Sequence, residues 1–483
     1  MLTVLSFITY PWVCRYLGDS ALGTYSWAVT FVGYFLVLAK IGIPNLAIRE
    51  CVKVRDNKEL LSNKVQLFFI IQGIATVLSF ALMCILVVSI PQLKSNSSLI
   101  FILSLNFLVG AFSFEWVFIA LEKQFYMSAR MVITLTLTAI LVITMVSNPD
   151  DIYIYALITV SVTILSVISN LFYIRKFVTF RKTIPYEIKG LFKPLFTLAV
   201  LSLFITAYNQ TDTFVLGFID QSKAEVGSYS VGVKSIDIII GFITALSTVF
   251  IPQSTHYWQF EDKTYFNRIT KYSVNIALFI TLPAVATITV LATPITKLIS
   301  GNYINEGFTN SQIILMTLSS IMITYSISDI IYNQILLPQG KEKKYLYALI
   351  AGTLLNLALS LIFGLVIFKD KPSVGVALGT SIVDLIIMIY LVIDSFEWVK
   401  KAIFNLNSLK IFISAIIIAA TSIGLLYGFK NAFIHMGEAY QLSLTLVFTI
   451  LIDAILYIAI LLITKEDLVS SFFKKKTKIE AKI

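Results

Sequence analysis

Of the 483 residues, 58% are hydrophobic and 13% charged, with a mean hydropathy of +0.87. Soluble domains carry about 25% charged residues, so a globular enzyme or a nucleic-acid-binding domain is excluded as the body of this protein. The formal net charge of +10 therefore matters through its placement rather than its sum, and Cys14, Cys51 and Cys84 lack the spacing of a disulfide or zinc framework.

A helix needs roughly 20 apolar residues to cross a ~30 Å hydrocarbon core, and its backbone polar groups must be satisfied within the segment. In chain order, such stretches cover 1–14, 26–48, 65–90, 98–121, 131–147 and 152–174, then 195–219, 226–251, 272–292, 309–332, 345–368 and 374–393, and last 411–427 and 439–464. The first is short: either the true start lies upstream or this helix is short. It lacks the basic leader and small-residue site of a signal peptide. The longest polar connections, 175–194 and 251–271, are too short for an independent domain. The expected architecture is an all-α polytopic membrane protein of about 14 spans. It divides into a first lobe at 1–180, a second at 181–400, two further spans at 401–464 and a basic cytoplasmic tail at 465–483.

Lysine and arginine alternate between loops. One set, with the tail, holds 28 of the 37, and the opposite set holds Arg15, Lys94, Lys223, Lys297, Lys369, Lys371 and Lys430. Cytoplasmic loops carry the excess of basic residues, which places both termini in the cytoplasm. The basic stretch 175–193 and the run Lys474-Lys475-Lys476 are expected against anionic headgroups. Trp12, Trp27, Trp116, Trp258 and Trp398 fall near span ends and read as interfacial anchors.

A repeat is also visible. Gly23-Thr24-Tyr25-Ser26, an apolar helix and Ile43-Pro44 in the first half correspond to Gly227-Ser228-Tyr229-Ser230, an apolar helix and Ile251-Pro252 in the second. An even number of helices separates the copies, so the two lobes are expected to share one orientation about an axis along the membrane normal, which is transporter architecture. No ATP-binding loop, potassium filter or zinc-protease motif is present in the sequence.

The stretch Tyr16-Leu17-Gly18 through Gly23-Thr24-Tyr25-Ser26 to Ile41-Gly42-Ile43-Pro44 and Arg49-Glu50 resembles the opening of the bacterial oligosaccharide repeat-unit flippases of Wzx type. So do Glu115-Trp116 with Leu121-Glu122, Thr211-Asp212-Thr213 with Leu216-Gly217, and Val249-Phe250-Ile251-Pro252-Gln253. These belong to the multidrug/oligosaccharidyl-lipid/polysaccharide exporter superfamily. The resemblance implies a V-shaped protein of fourteen helices that moves an undecaprenyl-diphosphate-linked oligosaccharide to the outer leaflet, in company with a polysaccharide polymerase. Relatives usually carry a cytoplasmic segment before the first span, which this sequence does not show.

A charge at the bilayer centre costs at least ~2.5 kcal/mol, so intramembrane ionisable groups point to a wet interior. Lys40, Glu115, Lys234 and Asp237 are the substrate-binding candidates, because an ammonium compensates a diphosphate in a low-dielectric path. The plain alternative neutralises Lys40 with Glu115, and Lys234 with Asp212 or Asp237. Asp212, in a patch with Asn209, Gln210, Thr211 and Thr213, is an ion-coupling candidate with Asp329 and Asp384; Na⁺ or a proton is the implied coupling ion, with no organic cofactor. The plain role of the patch is an interhelical hydrogen-bond cluster. Gly42, Pro44 and Pro252 are hinge candidates. The last two spans, with Asp453 as their charge, suggest a groove for a polyprenyl tail or simple structural support.

Three functions fit: a flippase of the kind just described, an ion-coupled exporter of amphipathic cations, and a polymerase or ligase of the same pathway. The third would carry a large outer loop, and none here exceeds about twenty residues. Lysines in the spans argue against the second, and the surplus of intramembrane carboxylates argues for it.

Overall fold

The structure is a computed structural model that describes residues 2–110, 112–181, 185, 190–301, 307–433 and 435–470, with the side chains of 2–8 and of Ile238 left out of the description. Lys182, Lys189 and the Lys474-Lys475-Lys476 run lie outside the described residues. Among those residues the chain is entirely helical apart from turns and loops, and thirteen helices are long and apolar enough to span a bilayer.

Two compact units result, Met1–Gly227 and Ser228–Ile483. The first holds α1 (Leu2–Lys40), α2 (Ile43–Val52), α3 (Lys58–Ser89), α4 (Pro91–Ser95), α5 (Ser97–Gly110), α6 (Glu115–Ala120), α7 (Gln124–Met145), α8 (Ile152–Ile174) and α9 (Phe192–Ile219). Helix α10 (Ala224–Val249) starts at its end. The second continues with α11 (Ile251–Gln259), α12 (Lys263–Val290), α13 (Ala292–Ser300), α14 (Ser311–Ser319), α15 (Ile321–Ile331), α16 (Glu342–Ile362), α17 (Pro372–Asp394), α18 (Phe396–Ile403), α19 (Leu406–Ala432) and α20 (Glu438–Ile463). Helix α9, which opens the second half of the repeat, packs on α1 and α2 within the first unit.

The count of thirteen rather than fourteen has a local cause. Thirty-nine residues at 1.5 Å each make α1 about twice the length of a crossing, but Gly18 sits inside it at φ 75°, ψ 178°, and splits it into two helical segments. Trp12, before the break, donates to the Val146 carbonyl at 3.0 Å. Tyr25, after it, packs with its ring tilted on Tyr155 at 4.5 Å and donates to Thr159 Oγ1 at 3.4 Å, both on α8. Both segments thus reach the same end of α7 and α8, and α1 supplies the first two expected spans.

Side-chain caps and special backbone set the other boundaries. Asn57 caps α3 by accepting from the Glu59 and Leu60 amides at 3.0 and 3.1 Å, and Asn405 caps α19 through the Ser408 amide at 3.0 Å. The polar stretch 251–271, expected as a connection, is mostly helical: Pro252 starts α11 in its first turn, and Asp262 caps α12 through the Tyr265 amide at 3.1 Å. Span four is interrupted, with Phe114 held at φ 52° between α5 and α6. The freed Ser113 carbonyl accepts from Asn170 Nδ2 at 2.6 Å, and Asn170 Oδ1 accepts from Tyr126 at 3.0 Å, so that carbonyl is satisfied at the break.

The outer faces match a lipid solvent. Helix α3 leaves Ile74, Val77, Leu78, Ile85 and Val88 exposed, a surface that water would drive to aggregate. Trp27 and Trp116 correct the anchor reading: both are buried, Trp27 against Phe218 and Trp116 among Phe68 and Phe114. Their side chains lie inside the helix packing instead of facing outward as anchors would.

Candidate functional site

In the first unit the repeated glycine motif makes a contact of its own. A Cβ on Gly23 would lie 2.8 Å from the Gly227 amide nitrogen and 2.9 Å from the Lys223 carbonyl carbon, with the Lys223 oxygen nearer still. A Cβ on Gly227 would lie 2.8 Å from the Asp19 carbonyl carbon, again with its oxygen nearer. Lys223 precedes Gly227 by four residues and Asp19 precedes Gly23 by four. Each glycine therefore receives the carbonyl one turn upstream of the other, a local two-fold crossing that only residues without a Cβ permit. Ser20 Oγ donates to the Ser222 carbonyl beside it.

Lys223 seals this crossing. It stands at φ 63° between α9 and α10, buried, with Nζ donating to the Gly217 carbonyl and, at 3.0 Å, to the Asp220 carbonyl. The ammonium also sits 4.5 Å from the centre of the Trp27 ring, a cation–π geometry. Burial holds its pKa below the ordinary lysine value, with Asp220 acting the other way. Gly217 lies directly under the Trp27 indole, which leaves no room for a side chain. Thus α1, α9 and the start of α10 meet at van der Waals contact of backbone on backbone.

At the opposite end of the same unit, Lys40 is the last residue of α1. Ile41 at φ 43° and Gly42 at φ 69° turn the chain into α2, whose first turn holds Pro44. A Cβ on Gly42 would meet Leu198 Cβ at 2.6 Å, so Gly42 is needed both for its conformation and for the approach of α9. Lys40 is half-buried and makes no ion pair or hydrogen bond among the described residues. The proposed Lys40–Glu115 neutralisation is corrected: Glu115 pairs with Arg130 at 2.6 Å. The guanidinium is 8% exposed and the carboxylate 45%, so Glu115 presents an already neutralised face. Arg130 Nε and Nη1 are buried with no hydrogen-bond partner among the described residues. Asp212 and Thr211 are buried on α9, facing Tyr34 of α1, while Asn209 of the same polar patch is exposed.

In the second unit Lys234 and Asp237 form the local pair that their spacing allows, at 3.1 Å and 59% and 47% exposed. Asp329 Oδ1 accepts from Asn333 Nδ2 at 3.0 Å, and Oδ2 is buried with no hydrogen-bond partner among the described residues. Asn333 belongs to a π-helical turn, Tyr332–Leu336, of the kind that often marks functional sites. Tyr332 stacks on Tyr345 at 4.2 Å, and Tyr345 lies within electrostatic reach of Tyr325, Asp329 and the buried Asp384. Asp329 and Asp384, singled out separately in the sequence, are therefore members of one acid and tyrosine group. Its oxygen donors suit a hard cation or a proton rather than a transition metal. Pro252 starts α11 just as Pro44 starts α2, so both repeat prolines mark a helix junction. Asp453 on α20 accepts from Thr421 and Ser422 of α19 at 3.1 and 2.5 Å.

Comparison with known proteins now adds the family. The model of the polysaccharide biosynthesis protein family matches residues 1–258. The chain belongs to that family. No curated protein matches the sequence. Among solved structures, the lipid II flippase MurJ in an inward closed conformation is similar at 17% identity and a TM-score of 0.61, covering 97% of this chain and 98% of its own. An inward-facing multidrug resistance MATE family transporter is similar at 15% identity and a TM-score of 0.60, covering 83% and 96%. A transporter of the same superfamily from Pyrococcus furiosus gives 14%, 0.56, 84% and 92%. At these identities the likeness establishes the fold alone, that of a multi-pass membrane protein.

Several residues of this family member escaped the sequence. Lys223 counted only as a loop cation and Arg130 only as part of a basic loop. Tyr325, Tyr332 and Tyr345 carried no signal beyond aromaticity. The glycine pair marked the repeat, but nothing in the pattern said that the two copies touch.

Proposed function

We propose that this chain is a flippase that moves a polyprenyl-diphosphate-linked oligosaccharide repeat unit across the bacterial cytoplasmic membrane, for a capsule, exopolysaccharide or O-antigen, by alternating access between its repeated halves. The reading is carried by the extent of the fold match. The lipid II flippase covers 97% of this chain and the MATE transporter 83%, although each is matched over nearly all of its own length. What this chain has beyond the drug transporter, it shares with a flippase of a lipid. Family membership supports the polysaccharide side of the assignment.

Within this reading Lys40, which has no acidic partner among the described residues, and Lys234, shared with the exposed Asp237, compensate the diphosphate. Glu115 holds Arg130 in place rather than meeting substrate directly. The crossing of Gly23 and Gly227 is the outer closure in this reading, which the basic-residue bias supports by favouring the Gly18 end outside and both termini in the cytoplasm. Gly42, Pro44 and Pro252 are the junctions about which the helices rock. Na⁺ or a proton couples through Asp212, Asp329 and Asp384, and a polysaccharide polymerase takes the product.

The test is complementation of a strain lacking its repeat-unit flippase. Restored surface polysaccharide, with loss of the accumulated lipid-linked intermediate, supports the assignment; persistence of that intermediate despite membrane expression refutes it. One observation favours a second reading: the carboxylates Asp329 and Asp384 beside Tyr325, Tyr332 and Tyr345 would also suit an amphipathic cation. Ethidium efflux by the same strain would transfer the assignment to drug export.

A further inference from the structure

A pocket of about 510 Å³ opens between α13, α19 and α20, at the end of α19 that carries Lys430. It belongs to the second unit and lies apart from the acid and tyrosine group. Its polar rim holds Lys297, Lys430 and Glu438, and its walls include Pro294, Leu426 and Leu442. Lys297 is paired with Glu438 at 2.8 Å. Lys430, in the last turn of α19, has no acidic partner among the described residues, so the rim carries one uncompensated positive charge. On α19 and α20 the neighbouring Ile423, Tyr427 and Val447 are exposed, so an apolar track continues from the pocket along the lipid-facing surface.

From this arrangement we infer that the pocket is a binding site for an anionic phospholipid of the surrounding bilayer, its phosphate on Lys430 and Lys297 and an acyl chain along α19 and α20. The volume is that of a small-molecule site. The two lysines lie at the ends of apolar helices, where long cationic side chains reach the headgroup layer. The charge balance selects the class of lipid. A phosphodiester bears one negative charge and matches the single spare ammonium, whereas the two or more charges of a polyprenyl diphosphate would leave excess anion beside Glu438. The inference stands on the pocket alone and holds whether the transported substrate is a lipid-linked oligosaccharide or a cation.

The experiment is native mass spectrometry of the delipidated full chain, titrated with phosphatidylglycerol, phosphatidylcholine, glycerol 3-phosphate or undecaprenyl diphosphate. Phosphatidylglycerol should bind more tightly than phosphatidylcholine. Lys430→Ala should weaken phosphatidylglycerol binding about fivefold, the ~1 kcal/mol of one lysine near a membrane surface. Glu438→Gln should strengthen it by freeing Lys297, a gain that misfolding cannot mimic. Lys94→Ala, an equal charge change outside the pocket, should leave it unaltered. Equal binding of the two phospholipids, or a Lys430→Ala chain that binds as well as the parent, would overturn the site. Displacement by glycerol 3-phosphate at matching concentration would show a free-anion site instead, and preferential binding of undecaprenyl diphosphate would assign the pocket to the carrier lipid.

Discussion

Replacing Gly23 by alanine isolates the role of the glycine crossing. The added methyl would lie 2.8 Å from the Gly227 nitrogen and 2.9 Å from the Lys223 carbonyl carbon, where ordinary contact begins near 3.4 Å or beyond. Both obstacles are backbone, so no rotamer change relieves them and the helices must part by more than half an ångström. Overpacking of this kind costs ~3 kcal/mol at the upper end of its usual range, while alanine returns ~1 kcal/mol of helix propensity. The net ~2 kcal/mol shifts the balance toward an open crossing about 30-fold. Gly73 provides the contrast: its Cβ would meet nothing within 4 Å, so Gly73→Ala should gain the propensity alone. The assay is the labelling rate of a cysteine placed at Val226, which is fully buried beside Gly227, in a chain whose partly exposed Cys84 is replaced by serine and whose Cys14 and Cys51 are buried. Gly23→Ala and Gly227→Ala should both accelerate labelling and Gly73→Ala should not. If all three label at the parent rate, the crossing is not a closure that opens.

Other substitutions probe the charged groups. Glu115→Gln strands the buried Arg130 guanidinium; with the carboxylate half exposed, the loss should be ~1–2 kcal/mol rather than the 3–5 of a fully buried pair, and Glu115→Gln with Arg130→Met should recover most of it in thermal unfolding. Lys40→Arg should retain polysaccharide export and Lys40→Gln should lose it; full export by the glutamine variant would remove Lys40 from the substrate path. Asp453→Leu should cost under ~1 kcal/mol, because the single hydroxyl protons of Thr421 and Ser422 have an alternative acceptor in the Ile418 carbonyl, 2.9 and 2.8 Å away, to which they turn when the carboxylate goes; a drop of several kcal/mol in detergent would mean that Asp453 holds α19 to α20.

Hydropathy located the spans because a lipid solvent imposes one requirement on every crossing segment. It missed what hydropathy does not encode. The 251–271 stretch looked like a loop because its helices are polar, although Pro252 and Asp262 were available as start signals. The break at Phe114 lies in an apolar run, where nothing but the backbone conformation reveals it. Periodicity assigns a helix face but not its partner, so Glu115 was matched with Lys40 when the buried cation behind it is Arg130. The spacing of Lys234 and Asp237 did disclose their pair, because both ends lie on one helix. Asp329 and Asp384 were found singly as carboxylates in apolar spans; that they share one group with three tyrosines depends on how α15, α16 and α17 pack.

The burial of Lys223 gives the crossing a signature in pH. A lysine whose folded pKa is depressed binds fewer protons in the folded state than in the unfolded state between the two values, so stability rises with pH through that window. The window lies below the ordinary lysine value of 10.5. The direction follows from the surroundings: Trp27 and the packed backbone remove water, and the Gly217 and Asp220 carbonyls accept from the amine whether or not it is protonated. Lys223→Met should therefore do two separable things. It should lower stability at every pH by ~1–3 kcal/mol, because the buried Gly217 carbonyl and the part-buried Asp220 carbonyl lose their donor. It should also flatten the rise of stability with pH just below 10.5, because the titrating group is gone. Urea or thermal unfolding of the parent and the variant across that range reads both, and other lysines cancel in the difference. Equal slopes would mean that Lys223 titrates as it does in water and does not seal the joint between α1 and α9; a lower slope with unchanged labelling at position 226 would mean that it stabilises the helix end without controlling the opening of the crossing.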